Sequence, residues 1–461
     1  MFAKKKWGML FILGCSLIVA ITSLWIADPD VFWHLKVGEW IVSNRAVPGT
    51  DIYSWSVYGR PWTAHQWFWE ALMYLTYRYT GVLGLGGVAL LMVFAAGILV
   101  RAGLMAVGAP DERASAAGGI AVLLLVGWLK PWPQAGVYAL FAAYLYLSLR
   151  GEWGPRDILL AGALSLLWGN IHSTAVMFPL LLFAETIWLL IFKEGKIKDK
   201  REILYRRLAA FVAASAGTLC NPHGIGLWRY AVCEGLLSSQ YRENISSWMP
   251  YVFGFNILAL VFFVSIVILF LAVRQGKEKE LAFMRAGGFW ALALMSRIYS
   301  PYAVLSTAAL LGLLKFRLEA GSLKRLMVLA LAAGVAIIPV RGLPADLDEV
   351  AREGGYPVGA LDFIEQHGCE KVYNDHGWGG YLIWKGIPVY IDGRNDVYGE
   401  VFDDFLNLTK TEKAVGDAIA EKNAQTVLTE TGGTKDLVLR DSSLWDEAYR
   451  DKYSVIYIRK R

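Results

Sequence analysis

Two aspartates on either side of a proline, Asp28-Pro29-Asp30, are the residues of this chain best suited to chemistry. A carboxylate can take the proton of an incoming hydroxyl and so act as a general base, and the proline fixes the backbone between the two. His34, Asp51 and His65 follow in the same polar stretch. Further along come Lys130 with Pro131 and Gln134, Asn170 with His172, Asn221 with His223, and Arg297 with Tyr299. A departing phosphate needs a cation, and Arg297 and Lys130 are the candidates. The competing roles are ordinary ones: a long basic side chain can simply reach lipid headgroups, and aspartate is a favoured helix cap. Asp28, Asp30, His34, His65, His172 and His223 are also of metal-ligand type and could converge on a divalent ion, although no pair has a metal-motif spacing. No nucleotide cofactor is expected, because neither glycine-rich run has the spacing of a phosphate loop. Cys15, Cys220, Cys233 and Cys369 have no zinc spacing and read as free thiols.

The elements that must position these residues are apolar. Of 461 residues 56% are hydrophobic and only 18% charged, where soluble domains carry roughly 25%, so a single water-soluble globule is excluded. The apolar residues gather in blocks that predict eleven membrane spans, near 7–26, 83–105, 116–130, 134–149, 157–174, 175–193, 206–222, 255–274, 284–298, 301–316 and 324–341. The first follows Lys4, Lys5 and Lys6 like a signal sequence, but its apolar run continues well past Cys15, which predicts an uncleaved span. Seven Lys/Arg in 193–207 and four each in 274–285 and 315–325 mark cytoplasmic loops. An odd number of spans then leaves the C-terminus outside. Parity requires residues 67–80, which are apolar but short and contain Glu70 and Arg78, to lie along the outer interface; a crossing there would turn the tail inward.

With this topology the polar residues collect at the outer membrane surface, in a first outer loop (27–82) and at the outer turns, where they are expected to meet in one wet pocket. Only Glu185 falls deep inside a span. Transporters and pumps keep ionisable groups near the midplane, often in repeated halves, and no internal repeat is present. An enzyme acting on a lipid-linked substrate instead needs its polar site level with the headgroups. In the stretch after Asp30, Phe32, Trp33, Leu35 and Trp40 have the spacing of a helix lying along the membrane, with His34 and Lys36 projecting elsewhere.

The membrane part ends at 341. Residues 342–355 read as a linker and 356–461 as a small α/β domain, with a helix over 358–367 behind Pro357 and strands near 371–373, 388–391, 425–429 and 454–459. From Gly342 onward there are 14 Lys/Arg against 22 Asp/Glu, a net charge of −8 in a chain whose total is +5, so this acidic domain disfavours nucleic acid. Two of its segments, 374–380 and 392–396, follow predicted strands, and Trp378, Tyr381 and Tyr398 could hold a sugar. The alternative is that the glycines serve tight turns and Asp392 pairs with Arg394 for structure.

The motifs Asp28-Pro29-Asp30-Val31-Phe32-Trp33-His34-Leu35, Pro48-Gly49-Thr50-Asp51-Ile52-Tyr53-Ser54-Trp55 and Trp62-Thr63-Ala64-His65-Gln66-Trp67 resemble the first outer loop of a group of bacterial multi-span proteins related to the GT-C glycosyltransferases. The similarity extends through Pro131-Trp132-Pro133-Gln134, Trp168-Gly169-Asn170-Ile171-His172 and Asn221-Pro222-His223-Gly224 to Trp378-Gly379-Gly380-Tyr381-Leu382 and Ile391-Asp392-Gly393-Arg394. It implies a polytopic fold whose outer loop carries interfacial helices near 30–43 and 64–80, a polyprenyl-phosphate sugar as donor, and an acid soon after the first span as catalytic base. That role falls on Asp28 or Asp30; Pro29 separates acids that are adjacent in many relatives, which leaves open which one acts. The expectation is a multi-pass glycosyltransferase of the bacterial cytoplasmic membrane with a periplasmic tail. It would transfer a sugar to a glycan, lipid or protein acceptor, using Asp28 and Asp30 for catalysis and His34, Asp51, His65, Lys130, Asn170, His172, His223, Arg297 and Tyr299 for binding. The rival is a non-catalytic membrane protein that binds lipid-linked glycan or helps to assemble an envelope polymer.

Overall fold

The computed structural model of the chain describes residues 2–25, 27–130, 132–192, 197–236, 243, 245, 248–250, 257–274, 280–408 and 415–460. Pro131 and parts of the basic segments 193–207 and 274–285 therefore lie outside the described residues, as do 255 and 256 of one predicted span. The chain forms two compact units, Met1–Ser23 with Gly86–Leu343 and Leu24–Leu85 with Pro344–Arg461.

The first unit is helical. Helices occupy each predicted apolar stretch: Phe2–Leu24, Trp67–Ala106, Asp111–Leu123, Pro133–Arg150, Pro155–Gly169, Met177–Phe192, Ile197–Leu219, Ile257–Arg274, Glu280–Met295, Ser300–Leu313 and Ala320–Arg341. Among the described residues four segments, Lys6–Leu24, Trp67–Ala106, Ser173–Phe192 and Ala320–Pro339, are long and apolar enough to cross a membrane. The Trp67–Ala106 helix joins the doubtful stretch 67–80 to the predicted span after it. Gly81, at φ +65°, breaks the helical geometry between them, a backbone conformation that glycine takes at no steric cost. Glu185 is fully buried, but it does not sit alone: Arg207 (3.1 Å) and Arg285 (2.8 Å) pair with its carboxylate, and the Tyr144 and Ser148 hydroxyls donate to it. Such convergence is what a charge removed from water requires.

The second unit is built on a four-stranded sheet, in the order β1 (Val372–Asn374), β2 (Thr426–Glu430), β4 (Ser454–Arg459), β3 (Trp445–Arg450). β1 runs parallel to β2, and the other neighbours are antiparallel. The expected helix is present as Val358–His367. Three features depart from the sequence expectation. The stretch 342–355 is not a plain linker: Asp346 caps a Leu347–Glu353 helix that buries Leu347, Val350 and Ala351. The strand expected at 388–391 is reduced to parallel bridges from Val389 to Ser54 and to Val372. Through them the segment expected to be the first outer loop and to group with the membrane helices joins the C-terminal residues in one unit. Trp55 Nε1 donates to the Val372 carbonyl at 3.0 Å, Ser56 Oγ to that of Tyr390 at 2.5 Å, and Arg60 to that of Tyr398 at 2.6 Å.

Candidate functional site

Asp28 opens the Pro29–Asn44 helix as its N-cap, its Oδ1 accepting the Asp30 amide at 3.0 Å, and it is 5% exposed. Capping, the alternative weighed for these aspartates, is therefore what Asp28 does. Asp30 lies in the first turn, half-buried, and its Oδ1 accepts from Trp33 Nε1 at 3.0 Å. A carboxylate there also sits at the positive end of the helix dipole. Tyr356 borders both acids. Burial, reinforced by the Asp28 and Asp30 charges, pushes its hydroxyl well above the ordinary tyrosine range, so it remains a proton donor.

The C-terminal motifs explain themselves against this helix start. A Cβ on Gly380 would run into the Pro29 carbonyl, and one on Gly393 into Asp30 Oδ1. Gly380 lets two segments of backbone approach, and Gly393 lets the backbone approach the Asp30 side chain, too closely for a further side chain. Beside them Arg394 is fully buried, bonded to Asp392 (2.6 Å) and to Asp51 (2.7 Å), with its guanidinium over the rings of Trp62 and Tyr53 at 4.9 and 5.1 Å. Burial alone would raise the Asp392 carboxyl; the Arg394 charge, with hydrogen bonds from Arg394 and Tyr398, outweighs it and holds the group below the usual carboxylate range. The pairing expected for Asp392 and Arg394 is thus present, with Asp51 as a third member 341 positions from Asp392.

Several residues expected to bind substrate make structural contacts. Asp51, with no exposed surface, accepts from Arg394, from Ser54 Oγ (2.5 Å) and from the Ser54 amide (3.0 Å). His34 does not project away from the apolar face. The N-terminal half of its helix is buried all round, and His34 Nδ1 meets Glu70 Oε1 at 2.9 Å with both side chains at 2% exposure or less. His65 Nδ1 lies 3.2 Å from the Thr63 carbonyl. Trp378, Tyr381 and Tyr398 are core residues, so the sugar platform expected in the tail has no exposed aromatic face. Asn374 and Asp375 hold β1 to its neighbours, Asn374 through Ile391 and Tyr390, and Asp375 through Thr429 and Lys435.

The remaining candidates belong to the helical unit. Lys130 Nζ stands over the Trp132 ring at 4.6 Å. His172 caps the Ser173–Val176 turn, its Nδ1 accepting the Thr174 amide at 3.1 Å, and its Nε2 is 3.3 Å from the Gln134 side-chain amide. Asn170 donates to the carbonyls of Leu166 and Cys220, both at 2.8 Å, and so ties two helix ends together. The His223 amide donates to Asn221 Oδ1, and the Arg297 amide to the Met249 carbonyl. Tyr299 ends the short turn that Arg297 begins. Buried polar atoms that find no protein partner recur in these segments: Trp132 Nε1, Gln134 Oε1, His223 Nε2, Ser296 Oγ, Arg297 Nε and Ser300 Oγ. Buried polar atoms are normally paired, and unpaired ones call for an explanation. A polar ligand at these turns would supply one.

Among the described residues no group of three or more His, Cys, Asp or Glu is arranged to hold a metal ion; the six side chains of ligand type are divided between the two units. Sequence reasoning missed Glu70 as the partner of His34, and the Arg394–Asp51 pair, because each links positions that no periodicity connects. The only available signal for the close approach at Asp30 was the pair of glycine-bearing motifs themselves.

No protein-family model matches the sequence, and no curated protein matches it. Solved structures do. The oligosaccharyltransferase AglB from Archaeoglobus fulgidus, in complex with an inhibitory peptide and a dolichol-phosphate, superposes with a TM-score of 0.63 at 11% identity, over 93% of this chain and 70% of that one. ArnT from Cupriavidus metallidurans bound to undecaprenyl phosphate gives 0.56 at 13% identity, over 98% of both chains. Its apo state gives 0.52 at 13% identity, over 99% of this chain and 98% of that one. At such identities the likeness is one of fold: this chain shares the fold of these two proteins.

Proposed function

We propose that this chain is an integral membrane glycosyltransferase that moves a sugar from a polyprenyl-phosphate carrier to an acceptor hydroxyl outside the bacterial cytoplasmic membrane. The observation that carries the reading is the coincidence of a GT-C-like fold with an aspartate pair at the start of the helix that follows the first apolar helix. The lipid phosphates bound to the two solved neighbours support the class of donor, and the unpaired polar atoms around Gln134, His223 and Arg297 support a polar ligand in the helical unit. Eleven spans, beginning inside, would leave the C-terminal domain in the periplasm.

In this reaction the acceptor oxygen attacks the anomeric carbon, its proton passes to a carboxylate, and the bond from that carbon to the phosphate oxygen breaks. Asp30 is the better base, since Asp28 is engaged in capping and the more deeply buried of the two. Arg297 would balance the charge on the leaving phosphate, with Lys130, His172 and His223 as further donors or cations. The C-terminal domain would brace the base through Gly380 and Gly393, whether or not it also recruits the glycan, lipid or protein acceptor.

The capping role of Asp28 and the structural pairing of Asp51 and His34 favour one rival, a non-catalytic protein that binds the lipid-linked glycan. Purified protein incubated with radiolabelled polyprenyl-phosphate sugars separates the two. Transfer or hydrolysis supports the enzyme, and binding without turnover supports the rival; lipid that changes leaflet with no chemistry would point to transport.

A further inference from the structure

Where the Pro133–Arg150 helix ends, the chain turns through Gly151, Glu152 and Trp153, and this turn faces the opening turns of the Ile197–Leu219 helix. Together they bound a cavity of about 210 Å³, lined by Glu152, Trp153, Glu202, Ile203, Arg206 and Arg207. That is about seven water volumes, room for a small headgroup. None of these residues belongs to the candidate transferase site.

Floor and rim differ in character. On the floor Trp153 and Arg207 are buried, with the guanidinium 5.6 Å from the indole centroid. Arg207 continues inward to Glu185, which Arg285 also holds, so two buried cations share one carboxylate beneath the cavity. Trp153 is kept at φ +45°, a conformation that side-chain-bearing residues adopt where their surroundings over-determine it, often at functional sites. The rim is exposed and amphoteric. Arg206 pairs with Glu202 at 2.6 Å, and Glu152 with Arg150 at 2.9 Å. Exposed pairs of this kind are weak enough to exchange for a ligand. Leu208 and Val212, further along the Ile197–Leu219 helix, and Leu159, on the Pro155–Gly169 helix, are all exposed and offer an apolar surface for acyl chains.

We propose that this cavity binds a phosphoester bearing a primary ammonium, as in the headgroup of an ethanolamine phospholipid. The phosphate lies inward against Arg207 and Arg206, and the ammonium outward against Glu152 and Glu202. That order matches a lipid entering from the bilayer, in which the phosphate is the deeper group. Charge-assisted bonds to both ends give the selectivity.

The test uses the full chain in detergent and measures binding of phosphatidylethanolamine, phosphatidylcholine and phosphatidylglycerol by native mass spectrometry. Phosphatidylcholine keeps the charge but has no ammonium N–H to donate, and phosphatidylglycerol lacks the cation. Phosphatidylethanolamine should bind about tenfold more tightly than either. A Glu152→Gln, Arg206→Gln double variant, altered only at exposed positions and so expected to fold, should lose that preference. Competition by soluble phosphoethanolamine would support recognition of the headgroup alone; binding of the lipid without such competition would support a bilayer source. Equal binding of the three lipids, or a preference that survives in the double variant, would overturn the proposal.

Discussion

Asparagine keeps the shape of aspartate and removes its charge, so single substitutions can divide the labour between Asp28 and Asp30. Asparagine still caps a helix and can still accept from Trp33. Asp30→Asn should therefore lower transfer about 100-fold or more, with thermal stability changed by less than about 0.5 kcal/mol, whereas Asp28→Asn should retain most activity. Rates and melting curves on the same preparations check both. Gly393→Ala tests the bracing of the base. The added methyl meets Asp30 Oδ1, which should cost about 1–3 kcal/mol of stability and lower kcat at least about tenfold while leaving KM for the donor nearly unchanged. Equal effects on kcat and KM would place the glycine outside the catalytic step. These aspartates were legible in the sequence as chemistry-bearing types, but the choice between base and cap was not, because it depends on which carboxylate the local backbone engages.

At the scale of elements, a three-membered ion cluster fastens the segment around Asp51 to the Asp392–Arg394 turn. Arg394→Met would leave Asp51 and Asp392 buried without their cation, and removing one partner of such a cluster costs about 3–5 kcal/mol. Arg394→Lys should recover little of that, because an ammonium cannot engage both carboxylates and lie flat over Trp62 as a guanidinium does. Thermal unfolding and protease resistance of the loop would report both. Elements with strong periodicity were legible: β4 lies where its apolar run predicted, and the Val358–His367 helix follows its proline. β3 was missed because Trp-Asp-Glu-Ala-Tyr-Arg is a largely exposed edge strand with no buried alternation. The Leu347–Glu353 helix was missed because its charged residues mask a short apolar face. The long apolar helices were legible because runs of that length and composition stand out in the sequence. The partnership of Glu185 with Arg207 and Arg285 was not, because those arginines read as loop charges.

For the whole molecule, acid should act first on the C-terminal unit. Asp436 is held below the usual carboxylate range, chiefly by hydrogen bonds from Arg450 that outweigh the opposing effect of burial, with help from Tyr457, and Asp392 is depressed by Arg394. A carboxyl whose folded pKa lies below its unfolded value contributes stability above the unfolded value and loses it as pH falls through the folded one. The unit should therefore be most stable near neutrality and weaken between about pH 4 and pH 2, seen as rising hydrogen exchange in β2 and β4 before the apolar helices respond. The division of the chain into these two units was only partly legible, since the charge reversal near Gly342 marks one boundary and nothing in composition shows that residues 24–85 fold with the tail. The central claim is that this chain transfers a sugar and that Asp30 accepts the proton. Single-turnover transfer from a radiolabelled polyprenyl-phosphate sugar, measured for the wild type and for Asp30→Asn at equal donor occupancy, tests it most directly. Label should appear in the acceptor product for the wild type and almost none for the variant; equal rates in the two, or donor bound by both with no product from either, would rule out Asp30 as the base of a sugar transfer.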